Sequence, residues 1–193
     1  MKLVIDHLTR YGYDEEVKFS TQYLRLTPRS TARQTITAWT LTLPDGAAVT
    51  TTDGWGNVLH VLTLDNPHKE ITIRASGIVD IADEGEETRD EEAELLSPLV
   101  FLRCTPLTRA DTAIREFAQR LYRPDAAEES LNQLMADLLL RMPYSPGATQ
   151  VQDSAADAFA RAKGVCQDHT HVFLACCRAL EIPARYVSGY VYS

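Results

Sequence analysis

Gly164-Val165-Cys166-Gln167-Asp168-His169 opens an apolar segment that runs through Val172, Phe173, Cys176 and Cys177 to Leu180, and its reading decides the fold of the C-terminal half. Just upstream, Asp153-Ser154 predicts a helix start and residues 155–162 a short helix. Lys163 and Gly164 are expected to close it, because glycine accepts a left-handed backbone. Cys166 then falls in the first turn of the next helix. There the unpaired backbone N–H groups and the positive end of the helix dipole favour negative charge, so the thiol is expected to ionise more readily than a free cysteine. A thiolate is a nucleophile and a thiol a poor one. The competing reading is burial, since cysteine is among the most buried residue types. Cys176 and Cys177, inside the apolar face of the same helix, read as packing.

Working outward, the 110–142 region has helical spacing. Ile114, Phe117, Ala118 and Leu121 recur at i, i+3, i+4 and i+7, with Thr108 as the expected cap and Arg123-Pro124 as the stop. A second helix is expected over about 127–142, burying Leu131, Leu134, Met135, Leu138 and Leu139, with Glu128 and Glu129 favoured in its first turn. Pro143-Tyr144-Ser145-Pro146-Gly147 then breaks into a loop. Beyond the helix of Cys166, Glu181-Ile182-Pro183 leads into a strand-like run over 184–192. The first eighty residues differ in kind. Segments 2–11, 16–26, 33–43, 47–52, 58–64 and 70–81 are rich in Val, Ile, Thr, Tyr and Trp and several alternate, with turn signals at Gly12 with Asp14, Thr27-Pro28, Pro44-Asp45-Gly46, Asp53-Gly54 and Asp65-Asn66-Pro67. Six short strands at this spacing predict an antiparallel sandwich. The fold class is therefore α+β, with a β-sandwich domain at 1–105 and a helical domain at 106–193.

Composition bounds the function. The chain has 193 residues, 45% hydrophobic and 24% charged, and a formal net charge of −8. Nine acidic residues between Asp80 and Glu94, against Arg89 alone, account for that whole charge, so residues 80–94 read as a solvated acidic loop. No broad basic face for nucleic acid is expected. No apolar run approaches the roughly 18 residues of a membrane helix, and Met1-Lys2-Leu3-Val4-Ile5 is broken at once by Asp6 and His7, so no membrane association is expected. Cys104, Cys166, Cys176 and Cys177 show no CxxC spacing, which predicts reduced thiols and a cytoplasmic setting. A metal site from Cys166, Asp168, His169 and His171 is not expected, because ligands crowded at one helix start cannot converge as a tetrahedron. No cofactor is expected either.

Taken together, Tyr144-x-Pro146-Gly147-Ala148-Thr149, Gly164-Val165-Cys166-Gln167-Asp168 and the run from Cys177-Arg178-Ala179-Leu180 through Ile182-Pro183-Ala184-Arg185-Tyr186-Val187-Ser188-Gly189-Tyr190 closely resemble the bacterial transglutaminase-like family, whose members are described as candidate cysteine proteases. Thr9-Arg10-Tyr11-x-Tyr13 and Asp53-Gly54-Trp55-Gly56-Asn57 resemble the β-rich region that precedes that core. The resemblance implies a papain-like core in which a helix-borne cysteine attacks an amide carbonyl, a histidine shuttles the proton and an aspartate orients the histidine. By motif Cys166 is the nucleophile. The family's histidine and aspartate lie on strands beyond the segment that resembles Ser188-Gly189-Tyr190, so the chain is expected to carry a truncated core, inactive by itself.

The expected activity of the intact protein is thiol-dependent hydrolysis or acyl transfer on peptide or isopeptide amides, with a peptide or protein as substrate. The alternative is a non-catalytic binding or scaffold protein with a remnant core. His169 shares a helical face with Cys166 but has no third residue to fix its tautomer, so it reads as a half-buried neighbour of the nucleophile. Asp168 is expected to stabilise the helix start while disfavouring a thiolate beside it. Tyr144 and Gln152 are the candidate side-chain oxyanion donors, next to the Cys166 backbone N–H. Arg178 and Arg185 read as structural. An unpaired strand edge at 186–192 is expected to promote association with a second copy.

Overall fold

The computed structural model describes residues 1–82 and 96–190, so most of the expected acidic loop at 80–94 lies outside the described residues. The chain divides into two compact units, residues 1–95 with 189–193, and residues 96–188.

The first unit holds two antiparallel three-stranded sheets. Strands β1 (Lys2–Val17), β6 (His68–Ile81) and β3 (Gln34–Thr42) form one in the order β1-β6-β3, and β2 (Ser20–Thr27), β5 (Val58–Leu64) and β4 (Ala47–Thr52) form the other in the order β2-β5-β4. Alternation explains the burial. Along β6, Ile71, Ile73, Ala75 and Val79 all point inward. Ile71 and Ile73 join Leu24, Leu62 and Leu64 in one cluster, to which both sheets contribute. Full burial of each large aliphatic chain there contributes about 1.5–3 kcal/mol. The turn expected at Gly12 with Asp14 does not form. β1 runs through it, pairing Gly12 with Glu70 and then Val17 with His68, and the extra residues are absorbed as an irregularity in the ladder.

The Asp53-Gly54-Trp55-Gly56-Asn57 turn joins β4 to β5 around one carboxylate. Asp53 accepts from Arg25 Nε at 2.6 Å, from the Trp55 and Asn57 N–H groups at 2.9 Å each, and from Asn57 Nδ2 at 3.1 Å. The Arg25 guanidinium, with the Asn57 and Trp55 donors, holds this carboxyl well below the usual carboxylate range. The Tyr190 ring lies 5.6 Å from those of both His7 and Trp39, edge-on to the first and tilted to the second.

The second unit is helical. Two 3₁₀ turns, Pro98–Leu102 and Pro106–Thr108, precede α1 (Thr112–Leu121), α2 (Ala127–Arg141), α3 (Ala155–Arg161) and α4 (Cys166–Ala179). Asp111, not Thr108, caps α1, accepting the Ile114 N–H at 2.8 Å. Thr108 is already engaged by Thr105 within its own 3₁₀ turn. In α2 the inward row is Ser130, Leu134 and Leu138, whereas Met135 and Leu139, expected in the core, are exposed. Ser130 takes an inward place because its hydroxyl accepts the Arg123 N–H and donates to the Ala127 carbonyl, leaving no polar group unpaired. Spacing alone could not choose between two neighbouring rows of the same helix.

Helix α4 is the centre of this unit. Val172, Ala175 and Cys176 are fully buried among Ile114, Phe117, Leu134, Met142 and Phe159. Its last turn is tied down by Arg178, whose guanidinium donates to the Phe101 carbonyl at 2.9 Å, to Thr108 Oγ1 at 2.6 Å and to the Ala184 carbonyl at 3.0 Å. Arg178 thus has the structural part expected of it. The strand expected over 184–192 is not present among the described residues, which pair with no ladder over 182–190. The backbone of Ala184 is engaged instead by Arg178 and by the Phe101 carbonyl, which takes the Ala184 N–H at 3.4 Å.

Candidate active site

Cys166 is the first residue of α4, and its side chain is exposed. The other thiols of that helix, Cys176 and Cys177, are sealed in packing, and burial pushes them up to about 12 and about 11. They remain neutral thiols at ordinary pH. One helix therefore presents one sulfur to solvent at its positive end and hides two in its body.

What holds that end is a set of ties between α4 and the loop 143–153. Tyr144 and Gly164 form a parallel bridge, in which the Ser145 N–H donates to the Gly164 carbonyl at 2.8 Å and the Gly164 N–H to the Pro143 carbonyl at 3.4 Å. Gln167 Nε2 donates to the Val151 carbonyl at 3.2 Å. Asp168, only 3% exposed, lies beneath the loop; its Oδ2 accepts the Val165 N–H at 2.8 Å and the Thr149 hydroxyl at 2.6 Å. The expected stabilisation of the helix start by Asp168 is thus made through a direct bond to the cap backbone.

Gly164 has a different reason from the one its type suggests. The left-handed residue that closes α3 is Ala162, at φ 53° and ψ 38°. A Cβ on Gly164 would lie 2.7 Å from Asp168 Cβ and 2.8 Å from its Oδ2, so the glycine is needed for close approach to the carboxylate. Neither the Thr149 bond nor this contact was visible in the spacing. Thr149 ends the Tyr144-x-Pro146-Gly147-Ala148-Thr149 motif, and a hydroxyl there together with an acid in the Gly164–Asp168 motif is the signal that could have linked them.

Tyr144 is held by its backbone beside Gly164 with its side chain exposed. Gln152 donates from Nε2 to Gln150 Oε1 at 3.3 Å. His169 turns to the α2 terminus, where Nε2 contacts the Met142 carbonyl at 2.6 Å; a carbonyl can only accept, so that nitrogen carries the proton. His171 is buried, its Nδ1 without a partner among the described residues and its ring 5.9 Å from that of Tyr186. Among the described residues no group of three or more His, Cys, Asp or Glu gathers as a metal site, and no helix is long and apolar enough to cross a membrane.

Comparison with known proteins decides the relationship. The model of the bacterial transglutaminase-like N-terminal region matches residues 3–80, and that of the transglutaminase-like superfamily core matches residues 115–193. The chain belongs to the bacterial transglutaminase-like family. An uncharacterized protein of Mycobacterium leprae is 31% identical over 99% of the chain, and one of Mycobacterium tuberculosis 30% identical over 97%. The crystal structure of a "putative cysteine protease" from Cytophaga hutchinsonii aligns with 95% of the chain at a TM-score of 0.74 and 21% identity, which establishes a shared fold. The chain spans 71% of the M. leprae protein and 65% of each of the other two. Within this transglutaminase-like architecture, Cys166 lies inside the matched core.

Proposed function

We propose that Cys166 is the nucleophile of a cysteine-dependent amide hydrolase or acyltransferase acting on peptide or isopeptide substrates. The observation that carries this reading is the exposed sulfur on the first residue of α4, in a helix whose other two cysteines are buried. Sulfur at Cys166 attacks the amide carbonyl carbon, the amine leaves with a proton, and the resulting thioester is released by water or by a second amine. The first-turn N–H of Cys166 is the backbone donor this reading assigns to the carbonyl oxygen as it gains charge.

This reading assigns the proton to no histidine among the described residues. His169 is committed to Met142 and His171 is buried, so neither is offered that part. That same commitment favours a second reading, a non-catalytic binding protein that keeps a remnant core. The β-rich first unit is then the recognition domain, and a cytoplasmic setting fits both readings.

The two are separated with a protein extended to the length of its relatives. Amine release from a peptide substrate library is expected, and Cys166→Ala is expected to abolish it, a loss of about a thousandfold or more. Activity that survives the substitution sinks the enzymatic assignment. Inactivity of the extended protein on amides, with tight binding of a protein partner to residues 1–95, establishes the second.

A further inference from the structure

Sheet β2-β5-β4 ends on β4, which is paired on one side only. All its residues, Ala47-Ala48-Val49-Thr50-Thr51-Thr52, are exposed, and none is charged or proline. Among the described residues its backbone has no backbone partner other than β5. The other sheet edges differ. β1 carries Lys2, Asp6 and Arg10, each in an ion pair with a residue of β6. The start of β3 is covered by the loop before it, where Ser30 Oγ accepts the Ile36 N–H at 3.0 Å and the Gln34 carbonyl accepts the Thr31 N–H at 2.8 Å. β2 carries Arg25, held by Asp53. Charge and cover are what keep an edge from taking on another strand, and β4 has neither.

We infer that β4 pairs antiparallel with β4 of a second copy of this chain, joining two three-stranded sheets into one about a two-fold axis. Self-complementarity selects a second copy. A two-fold that continues the sheet keeps like faces together, so each residue lies opposite one of its own parity and the axis passes through a residue. Centres near either end of β4 pair few residues. Centred on Val49, the pairing sets Asp53 against the second copy's Asp45, and like charges directly opposite are destabilising. Centred on Thr50, it sets Thr50 against Thr50, Val49 against Thr51 and Ala48 against Thr52, small and β-branched pairs that suit a pleated surface. The Thr50 register is therefore the one assigned. On the face that carries Val49, Val61 and then Tyr23 follow across β5 and β2, and Val49 and Tyr23 are each 64% exposed. Tyr23 is two strands in from the edge, roughly 10 Å away, so it separates edge pairing from stacking of that face.

The test is analytical ultracentrifugation of the whole chain over a range of concentrations, in reducing buffer so that exposed Cys104 and Cys166 form no disulfide. A dimer is expected. Val49→Lys with Thr51→Lys in one chain sets lysine against lysine twice across the axis and is expected to weaken the dimer about tenfold or more. Val49→Glu with Thr51→Glu is expected to do the same with carboxylates. Mixed together, the two proteins are expected to dimerise again, because lysine now meets glutamate. Tyr23→Lys is expected to leave the dimer intact. Should the double variants fail to fold by circular dichroism, Val49→Lys is mixed with Thr51→Glu, positions that face each other in this register, and the mixed dimer is expected to outcompete both homodimers. The β4 pairing is overturned by an unaltered protein that stays monomeric at every concentration, by a dimer that survives the paired lysines, or by lysine and glutamate variants that do not pair when mixed. Dissociation by Tyr23→Lys as strong as by the paired lysines overturns it in favour of face-to-face stacking.

Discussion

At the scale of single residues, two positions two apart in sequence, Ala162 and Gly164, carry opposite backbone demands. Ala162 occupies the left-handed region at φ 53°, which costs an alanine about 1 kcal/mol relative to glycine. Gly164 is not left-handed but has no room for a methyl, since the Asp168 side chain would lie 2.7–2.8 Å from it. Ala162→Gly is therefore expected to stabilise the protein by about 0.5–1 kcal/mol, and Gly164→Ala to destabilise it by about 1–3 kcal/mol through displacement of Asp168. Urea unfolding followed at 222 nm measures both, and a destabilising Ala162→Gly or a neutral Gly164→Ala contradicts this account. The sequence made a glycine at 164 legible as a special position but not its reason. Helix-closing chemistry and close approach select the same residue type, and only the position of Asp168 tells them apart.

Among the elements, helix α4 was the most legible, because an apolar run with Cys166 at its head admits few alternatives in length and direction. The start of α1 was less so: Thr108 and Asp111 are both competent caps, and only the prior engagement of Thr108 with Thr105 excludes it. The terminal run after α4 was misread for a different reason. Its composition suits a strand, but a strand exists only where a neighbour supplies the ladder, and here Arg178 and Phe101 take the backbone of Ala184. Helix α4 also buries an imidazole. His171 is buried, and its Nδ1 has no partner among the described residues; burial pushes its pKa down, opposed by Asp168 and assisted by Arg178. A histidine depressed on folding binds fewer protons in the native state. Its contribution to stability is therefore present above the ordinary value of about 6.5 and is lost as pH falls through the lower native value. Unfolding free energy is expected to drop between about pH 7 and about pH 5, and to drop less in His171→Phe. Equal slopes for the two proteins, measured by urea unfolding at each pH, show that His171 is not the titrating group.

For the molecule as a whole, what was legible was the change of period along the chain, from alternation in the first eighty residues to helical spacing after 110. Each period builds its own apolar cluster: Leu24, Leu62, Leu64, Ile71 and Ile73 in the β-rich unit, and Ile114, Phe117, Leu134, Val172 and Cys176 among the residues of the helical one. What the pattern could not supply was the inward row of α2 or the path of β1 through Gly12, since both depend on partners distant in sequence. Separate cores have a measurable consequence, because cooperativity in unfolding follows the contiguous apolar cluster. Both tryptophans, Trp39 and Trp55, belong to the β-rich unit, while the helices that dominate ellipticity at 222 nm belong to the other. Tryptophan fluorescence and circular dichroism thus report different units of one chain. Their urea transitions are expected to differ in midpoint, and a helix-core change such as Leu134→Ala, costing about 2–5 kcal/mol, is expected to move the circular-dichroism midpoint with little effect on fluorescence. Coincident transitions that shift together in the variant show instead that the two clusters unfold as one cooperative body.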